Sequence, residues 1–531
     1  MLFTSYEFIG FCLLLFVLYY IIPKKWQWIL LLVGSYAYYF YAGPTYLLFI
    51  LTTSVTIFYA GRLISQNAGI EELFIKSEKG KALEKEERKA YKASMKKKRK
   101  RILVIALLIN LGILAVLKYT NFTINNINSI LKAFGSTKEF AFLDLVLPMG
   151  ISFYTFQAVG YLIDVYRGST DAEKNFFKFA LFVSFFPQLV QGPISRFKDL
   201  SKTLYSEHAF NIQNITFGLE RILYGFFKKL VVADRILIAV NEIIHNTETY
   251  TGVYVFLGMI FYAFELYADF TGGIDITIGV AQVLGIEVTE NFRRPFFSKC
   301  IKEYWNRWHI TMGSWFTDYI FYPISVSKGM LKLSKFSRKH FGEQIGKRIP
   351  VYLSSFIVWF TTGIWHGASW NFIVWGLGNF VVIMISQELE PLYRRFHNRF
   401  DVSGSTAYKA FTIIRTFLLM SLLRSFDCYR DVPLTFKMAG TMFTEGNFHI
   451  LWDGSLLNLG IGMFDYIILF VSLIIIFTVS MVQRSGSVRM KIASKPYIFR
   501  VCIYSALFIL ILLTGAYGHG YDVSQFIYNQ F

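Results

Sequence analysis

Charged residues are scarce in this chain of 531 residues, of which 17% are Asp, Glu, Lys or Arg and 54% are hydrophobic. A soluble protein of this size would carry a far larger charged surface. Four runs contain no charged residue at all, namely residues 8–22, 102–117, 466–482 and 501–517. With their polar flanks, these runs approach the ~20 residues that a transmembrane helix requires. The composition therefore predicts an all-α integral membrane protein with about 11 transmembrane helices plus re-entrant segments.

Cysteine and the common catalytic signatures are also sparse. The four cysteines show no CxxC spacing, so neither a disulfide framework nor a metal site is indicated. No Walker A, GxSxG, HExxH or dinucleotide fingerprint occurs in the sequence. Internal repeats, from which many transporters are built, are not apparent either. These absences argue against nucleotide- and metal-dependent enzymes and mildly against a transporter, and we expect no bound metal or cofactor.

Positive charge is abundant but unevenly distributed, and the formal net charge is +19. Residues 76–101 hold 13 Lys and Arg against 4 Glu, and smaller basic clusters lie between other apolar runs. This distribution is typical of cytoplasmic loops, which attract anionic lipid. A nucleic-acid interface would instead mix aromatic and basic residues on a soluble face. We therefore predict a cytoplasmic basic loop at residues 71–101, an external N-terminus, and the lipid bilayer as partner, with no nucleic acid.

The loops leave no room for a separate soluble catalytic domain, so any chemistry must take place within the membrane body. We predict one polytopic membrane domain over residues 1–531. Its N-terminal spans cover residues 1–70 and are interrupted at Gly43-Pro44, where a helix should break. A catalytic core is predicted over residues 143–390 and C-terminal spans over residues 405–531.

A single histidine stands out in the apolar segment 351–387, which contains no Asp, Glu, Lys or Arg. An imidazole at membrane depth is costly unless it faces a cavity or a partner, so His366 is a candidate functional residue. Desolvation favours its neutral form, which can accept a proton. Gly363 and Gly367 flank it and would leave space for a substrate or for a closely packed helix. A purely structural histidine, satisfied by a neighbouring carbonyl, is an equally good interpretation from these residues alone.

A second candidate cluster is Trp305-Asn306-Arg307-Trp308-His309. If this segment is helical, Trp305 and His309 share one face at a spacing of four residues. Mixed aromatic and cationic side chains suit a re-entrant or interfacial segment. The cluster is therefore either a polar wall of a substrate path or an aromatic belt at the membrane interface.

Two carboxylates, Glu265 and Asp269, share a helix face in an apolar stretch and therefore need partners. Arg293, Arg294 and Arg307 are the candidates. Structural ion pairing is the favoured interpretation, and a carboxylate that orients a catalytic residue is the alternative.

Taken together, the motifs resemble the membrane-bound O-acyltransferase (MBOAT) family. The resemblance rests on six segments in family order: residues 147–157, 186–194, 267–270, 290–296, 305–309 and 365–367. Within the family, the N-terminal spans and residues 318–323 resemble the alginate O-acetylation branch. Two residues depart from that branch, Asn306 in place of the common arginine and Gly273 in place of tyrosine. Asn306 resembles instead the D-alanyl transferases of teichoic acid synthesis, although those chains are shorter.

The resemblance implies a helical MBOAT fold that encloses a central tunnel in a bacterial cell membrane. It implies that His366 is the principal catalytic residue and that His309 is the second motif histidine. Trp305, Asn306, Arg307, Trp308 and Trp365 would then contact substrate, with Asp269, Gly363 and Gly367 in supporting positions. We expect no metal among these residues.

The function that follows is transfer of an acyl group, most simply acetyl, from a cytoplasmic thioester to a hydroxyl of an exported polysaccharide or an extracytoplasmic partner. Acetyl-coenzyme A or a phosphopantetheine thioester on an acyl carrier protein would be the donor. His366 would take the hydroxyl proton, while His309, with Asn306 or Arg307, would bond the carbonyl oxygen or the departing sulfur. D-alanyl transfer toward teichoic acid is the alternative enzyme, and a transporter or flippase is the alternative outside enzymes.

Overall fold

The computed structural model describes residues 3–517, which form helices joined by turns and short irregular segments, with no β-strand in that range. Seven helices are long and apolar enough to cross a bilayer, namely Tyr46–Lys76, Lys85–Ala133, Val253–Val283, Trp370–Glu388, Thr406–Tyr429, Met463–Gln483 and Tyr497–Thr514. Tyr6–Ile21 is a shorter apolar helix. The predicted all-α membrane architecture is confirmed, whereas the predicted number of about 11 spans is not. The central tunnel stays a prediction.

The described chain divides into two compact units, the first comprising residues 3–215 and 280–288. Its helices are α1 (Tyr6–Ile21), α2 (Gln27–Ala42), α3 (Tyr46–Lys76), α4 (Glu78–Ala82), α5 (Lys85–Ala133), α6 (Ile151–Arg167), α7 (Phe176–Ser184), α8 (Phe186–Leu189) and α9 (Phe197–Leu204). Helix α2 ends and α3 begins around Gly43-Pro44, so the predicted break is present.

The basic segment predicted as a cytoplasmic loop at residues 71–101 is mostly helical, and its cytoplasmic location stays a prediction. Helix α3 continues to Lys76, and α5 runs for 49 residues, about 74 Å at 1.5 Å per residue. A bilayer core is only about 30 Å thick, so α5 extends well beyond it. Residues 85–101 are rich in Lys, Glu, Arg and Ala, which favour helix even in water.

We call the helical segment 71–101 the basic arm. Side-chain contacts join the end of α3 to the start of α5 within this arm. Arg99 pairs with Glu71 at 2.6 Å, and the rings of Phe74 and Tyr91 lie 4.3 Å apart. These contacts fix the arm as a helical hairpin in which most lysines remain exposed.

Two of the family-like segments in the first unit are held together by glutamine side chains. Gln157 on α6 donates to the Phe182 carbonyl at 2.6 Å and accepts from the Ser195 amide at 3.3 Å. Gln188 donates to the Pro193 carbonyl at 2.9 Å and to the Ser195 hydroxyl at 2.6 Å. Both glutamines are buried, so these segments serve to satisfy irregular backbone inside an apolar body.

The second unit comprises residues 216–279 and the described chain from residue 289 onward. Its helices are α10 (Ile212–Phe226, from residue 216), α11 (Asp234–His245), α12 (Val253–Val283, to residue 279), α13 (Ile301–Trp305), α14 (Ile310–Phe316), α15 (Tyr322–Ser325), α16 (Lys328–Gly346), α17 (Ile349–His366), α18 (Trp370–Glu388), α19 (Glu390–Arg399), α20 (Thr406–Tyr429), α21 (Val432–Thr444), α22 (Met463–Gln483), α23 (Val488–Ala493) and α24 (Tyr497–Thr514). Two π-helical segments, Phe227–Ala233 and Thr317–Phe321, follow α10 and α14. The predicted division into N-terminal spans, core and C-terminal spans stays a prediction.

Helices α10 and α12 cross closely in the second unit because glycines face each other. A Cβ at Gly225 would lie 2.7 Å from the Gly272 carbonyl oxygen, and one at Gly272 would lie 3.0 Å from the Gly225 oxygen. Small residues at such a crossing allow two backbones to touch. The crossing brings the charged side chains that follow α10 against the carboxylates of α12.

Candidate active site

His366 is the last residue of α17, where that helix turns back into α18. The two helices approach closely through Gly363 and Gly376. A Cβ at Gly363 would lie 2.6 Å from the Phe372 carbonyl oxygen, and one at Gly376 would lie 2.5 Å from the Trp359 oxygen. A Cβ at Gly367 would collide with the Phe372 ring. Of the two roles predicted for Gly363 and Gly367, the structure supports close helix packing.

The His366 side chain is buried among aromatic rings, with 5% of its surface exposed. Its ring centroid lies 4.6 Å from that of Trp375 in an edge-on arrangement and 5.1 Å from that of Trp365. Phe372 stacks on it at 6.4 Å. Three aromatic rings of the hairpin therefore surround the imidazole and hold it in one orientation.

His309 lies in a turn between two short helices, and its backbone is left-handed with φ of 47°. Helix α13 ends at Trp305, and α14 begins at Ile310. The prediction that Trp305 and His309 share one helix face is therefore wrong. A non-glycine residue with positive φ is uncommon, and such conformations cluster at functional sites.

Asn291 fixes the orientation of the His309 ring. Its Oδ1 accepts hydrogen bonds from the Thr311 amide at 3.0 Å and from the Thr311 hydroxyl at 2.9 Å. The same oxygen lies 3.3 Å from His309 Nδ1. Since this oxygen can only accept, Nδ1 must carry the proton, and Nε2 then holds the lone pair. Burial, together with the nearby Arg424 charge, lowers the pKa of His309, which lies outside the seven candidate spans.

The two histidines belong to one aromatic cluster in the second unit. The Trp365 ring lies 6.2 Å from His309 and 5.1 Å from His366, between centroids. Phe270 on α12 packs edge-on against His309 at 4.9 Å. Residues distant in sequence thus bring both predicted catalytic histidines to the same indole ring.

The other four residues of the 305–309 segment fall into two pairs with different surroundings. Trp305 and Trp308 enter the cluster, since Trp305 lies 5.8 Å from Trp375 and Trp308 is buried. Arg307 instead pairs with Glu303 at 2.5 Å and is partly exposed, and Asn306 is exposed. The recorded contacts bring the tryptophans toward the histidines but not Asn306 or Arg307.

Asp269 has a cationic partner that the sequence analysis did not consider. Lys229, in the π-helical segment after α10, bonds Asp269 at 2.6 Å and Asp234 at 2.8 Å. The predicted pairing of Asp269 with Arg293, Arg294 or Arg307 is therefore wrong. Lysines at the end of a helix are usually exposed at the cytoplasmic face. The α10–α12 crossing instead buries Lys229 against carboxylates.

Glu265, one helical turn before Asp269, is also buried. Its Oε2 has no hydrogen-bond partner among the described residues. The predicted structural ion pairing is therefore present for Asp269, whereas no ion pair of Glu265 occurs among the described residues.

Comparison with known proteins identifies the family. The model of the membrane-bound O-acyltransferase family matches residues 170–426, a range that contains both histidines and the hairpin that carries His366. The chain belongs to the MBOAT family. The predicted resemblance is confirmed, and with it the assignment as an acyltransferase and a multi-pass membrane protein. The transporter or flippase alternative has no support.

Curated relatives match between about half and 86% of the chain. The probable alginate O-acetylase of Pseudomonas syringae pv. tomato is 29% identical over 462 residues, or 86% of this chain and 77% of the relative. The corresponding protein of Azotobacter vinelandii is 29% identical over 459 residues, with 86% and 80% covered. The teichoic acid D-alanyltransferase of Bacillus subtilis is 29% identical over 262 residues, or 48% of this chain and 62% of the relative.

Arg424 is a buried charged residue of this MBOAT chain that the sequence analysis missed. It lies on α20, outside the predicted core of residues 143–390, yet the family match extends to residue 426. Its guanidinium carbon lies 4.7 Å from the centroid of Trp375, the ring that also packs on His366. The available signal was an arginine inside an apolar helix, which marks a candidate functional position. Asn291 was likewise missed, although it lies in one of the motif segments.

Proposed function

We propose that this MBOAT protein transfers an acetyl group from a cytoplasmic thioester to a hydroxyl group of an exported polysaccharide. The supporting comparison is with the probable alginate O-acetylases, which match over 86% of the chain. The D-alanyltransferase match covers about half of it. Similarity over 86% of the chain favours acetyl transfer to a polysaccharide over D-alanyl transfer.

One structural observation carries the chemical part of this proposal. Two buried histidines from different parts of the sequence pack against the same Trp365 ring. Acyl transfer needs a base that removes the acceptor's proton, and imidazole is the side chain best suited to it near neutral pH. A buried pair held by helices supplies such a base in a fixed position.

The reaction would proceed through one covalent exchange. The uncharged His366 ring takes the proton of the acceptor hydroxyl as its oxygen attacks the thioester carbonyl carbon. The new C–O bond forms, the C–S bond breaks, and the proton passes from the imidazolium to the departing thiolate. The products are an ester and a free thiol, with no net proton taken up and no oxidant required.

His309 is better suited to accepting than to donating in this scheme. Because its Nδ1 donates to Asn291, its Nε2 offers a lone pair to an incoming hydroxyl. The role first predicted for it is a hydrogen bond to the carbonyl oxygen or to the departing sulfur. Donation to either from Nε2 would require a second proton on the ring. We therefore assign His309 the orientation of the acceptor hydroxyl.

The aromatic surroundings serve the same chemistry by excluding water. Trp365, Phe372 and Trp375 cover the His366 ring and leave little of it accessible to solvent. A thioester held against such a surface is protected from hydrolysis, so the acyl group reaches the intended hydroxyl.

The donor we propose is acetyl-coenzyme A or a phosphopantetheine thioester on an acyl carrier protein. Both are anionic, and the basic arm presents a dense array of exposed lysines at residues 92–100. Electrostatic attraction would raise the local donor concentration on the cytoplasmic side. The acceptor would be the polysaccharide itself or an extracytoplasmic acetyltransferase that relays the group.

Reconstitution into liposomes tests the proposal directly. Purified protein would be supplied with acetyl-coenzyme A on one side and an acceptor oligosaccharide on the other, and the product would be analysed by mass spectrometry. We expect an added acetyl ester on the oligosaccharide. A parallel reaction with a D-alanyl carrier thioester should give no product, and D-alanyl ester formed in place of acetyl ester would contradict the proposal.

A further inference from the structure

Arg424 is buried in helix α20 with 5% of its surface exposed. A guanidinium at this depth is costly unless its charge and its N–H groups find partners. Its carboxylate partner Asp427, one turn along the same helix, lies 3.6 Å away, which is too long for a hydrogen bond. Nε of Arg424 has no hydrogen-bond partner among the described residues. The charge is balanced, but the donors are underused.

Arg221, a partly buried arginine of the second unit, uses its donors more fully. Arg221 bonds Asp275 through Nε at 2.8 Å and Glu290 through its two terminal nitrogens at 2.5 and 2.6 Å. All three nitrogens of that guanidinium therefore donate to a carboxylate. The contrast indicates that Nε of Arg424 remains available to a group other than a protein carboxylate.

The surroundings of Arg424 place it beside the histidines. Its guanidinium carbon lies 5.2 Å from the centroid of Trp308 and 5.8 Å from that of Trp305, in addition to 4.7 Å from Trp375. Three indole faces stabilise the cation and hold it in place. The guanidinium also donates a hydrogen bond to the Tyr304 hydroxyl, and His309 lies within range of its charge. The guanidinium and the His366 ring both contact the same indole, that of Trp375.

The reaction needs a donor that neither the base nor the acceptor-orienting histidine supplies. When the hydroxyl oxygen adds to the thioester carbon, the carbonyl oxygen gains negative charge, and hydrogen bonds to that oxygen lower the barrier. His309 accepts through Nε2 and cannot supply them, and His366 must be unprotonated to act as the base.

We propose that Arg424 is a further catalytic residue, which donates hydrogen bonds to the thioester carbonyl oxygen as that oxygen becomes an oxyanion. This inference rests on the proposed acyl transfer. The guanidinium neither gains nor loses a proton: the oxyanion forms as the C–O bond is made, and it collapses to the ester as the C–S bond breaks. Pre-positioned cationic donors stabilise that intermediate without reorganising.

Steady-state kinetics of Arg424→Gln and Arg424→Lys, beside the wild type and Arg348→Gln, test the inference. Arg348 is a matched control, an exposed arginine paired with Glu388. We expect Arg424→Gln to lower kcat by about 100- to 1,000-fold with KM values little changed, which is the usual effect of losing one oxyanion donor. Arg424→Lys, which keeps the charge but not the fork, should fall in between. Arg348→Gln should match the wild type.

Chemical rescue separates a catalytic from a structural role. Added guanidinium ion should restore part of kcat to Arg424→Ala, because it can occupy the vacated site, and it should not affect the wild type. Thermal melting of Arg424→Lys checks that the protein remains folded. If Arg424→Gln or Arg424→Lys retained kcat within about threefold, or raised KM alone, the inference would be overturned while acyl transfer stood. If the wild type showed no transfer, the proposed function itself would fail.

Discussion

Removing the amine of Lys229 should destabilise the second unit strongly. Lys229 bonds Asp269 at 2.6 Å and Asp234 at 2.8 Å, and all three side chains are buried. Lys229→Met keeps most of the side-chain volume but leaves two carboxylates in an apolar body without their shared cation. Breaking a buried ion pair on one side costs about 3–5 kcal/mol, because an uncompensated charge remains.

Equilibrium unfolding in mixed detergent micelles, followed by tryptophan fluorescence, measures this cost. Lys229→Met should lower the free energy of unfolding by about 3–5 kcal/mol, whereas Arg348→Gln, which breaks an exposed pair with Glu388, should lower it by less than about 1 kcal/mol. Adding Asp269→Asn to Lys229→Met should recover part of the loss, since one buried charge is then removed.

The result that would refute this reasoning is a Lys229→Met variant as stable as the wild type. It would mean that water or a second cation compensates the carboxylates, and that the cluster is not closed as its contacts indicate. Equal losses in the free energy of unfolding for Lys229→Met and Arg348→Gln would likewise show that burial of the ion pair does not determine the size of the loss.

Two further predictions concern Gly363 and Asn291, the residues that position His366 and His309. Gly363→Ala should destabilise the α17–α18 hairpin by about 1–3 kcal/mol in the same unfolding assay, because the added Cβ would lie 2.6 Å from the Phe372 oxygen. Gly329→Ala is the control and should be neutral, since its Cβ would meet nothing within 4 Å. Asn291→Ala should lower the acyl-transfer rate more than stability, since it removes the acceptor that fixes the His309 tautomer; an unchanged rate in the transfer assay would contradict that role.

The sequence was sufficient for the membrane class, for the break at Gly43-Pro44, and for singling out the two histidines that pack against Trp365. These features follow from composition, helix-breaking residues and a lone imidazole in an apolar segment. The helical conformation of the basic arm was not predicted, because positive charge reports which side of the membrane a segment faces, not its conformation. Its high content of helix-forming residues was the unused signal.

The geometry of the site could not be read from local spacing. Helix α13 ends at Trp305, shortly before His309, and no glycine or proline marks that end in the sequence. A continuous helix was therefore expected. The partner of Asp269 depends on the α10–α12 crossing, a tertiary contact between residues 40 positions apart. Arg424 lies further along the chain than either histidine, and only packing against Trp375 reveals its proximity.

Initial rates of acyl transfer by His366→Ala in reconstituted vesicles test the central claim most directly. His340→Ala is the matched control, because His340 is exposed and bonds only within its own helix among the recorded contacts. Loss of a general base should lower the rate by about 100- to 10,000-fold at unchanged folding, while His340→Ala should behave as the wild type. A folded His366→Ala protein that acetylates the acceptor at the wild-type rate would contradict the account.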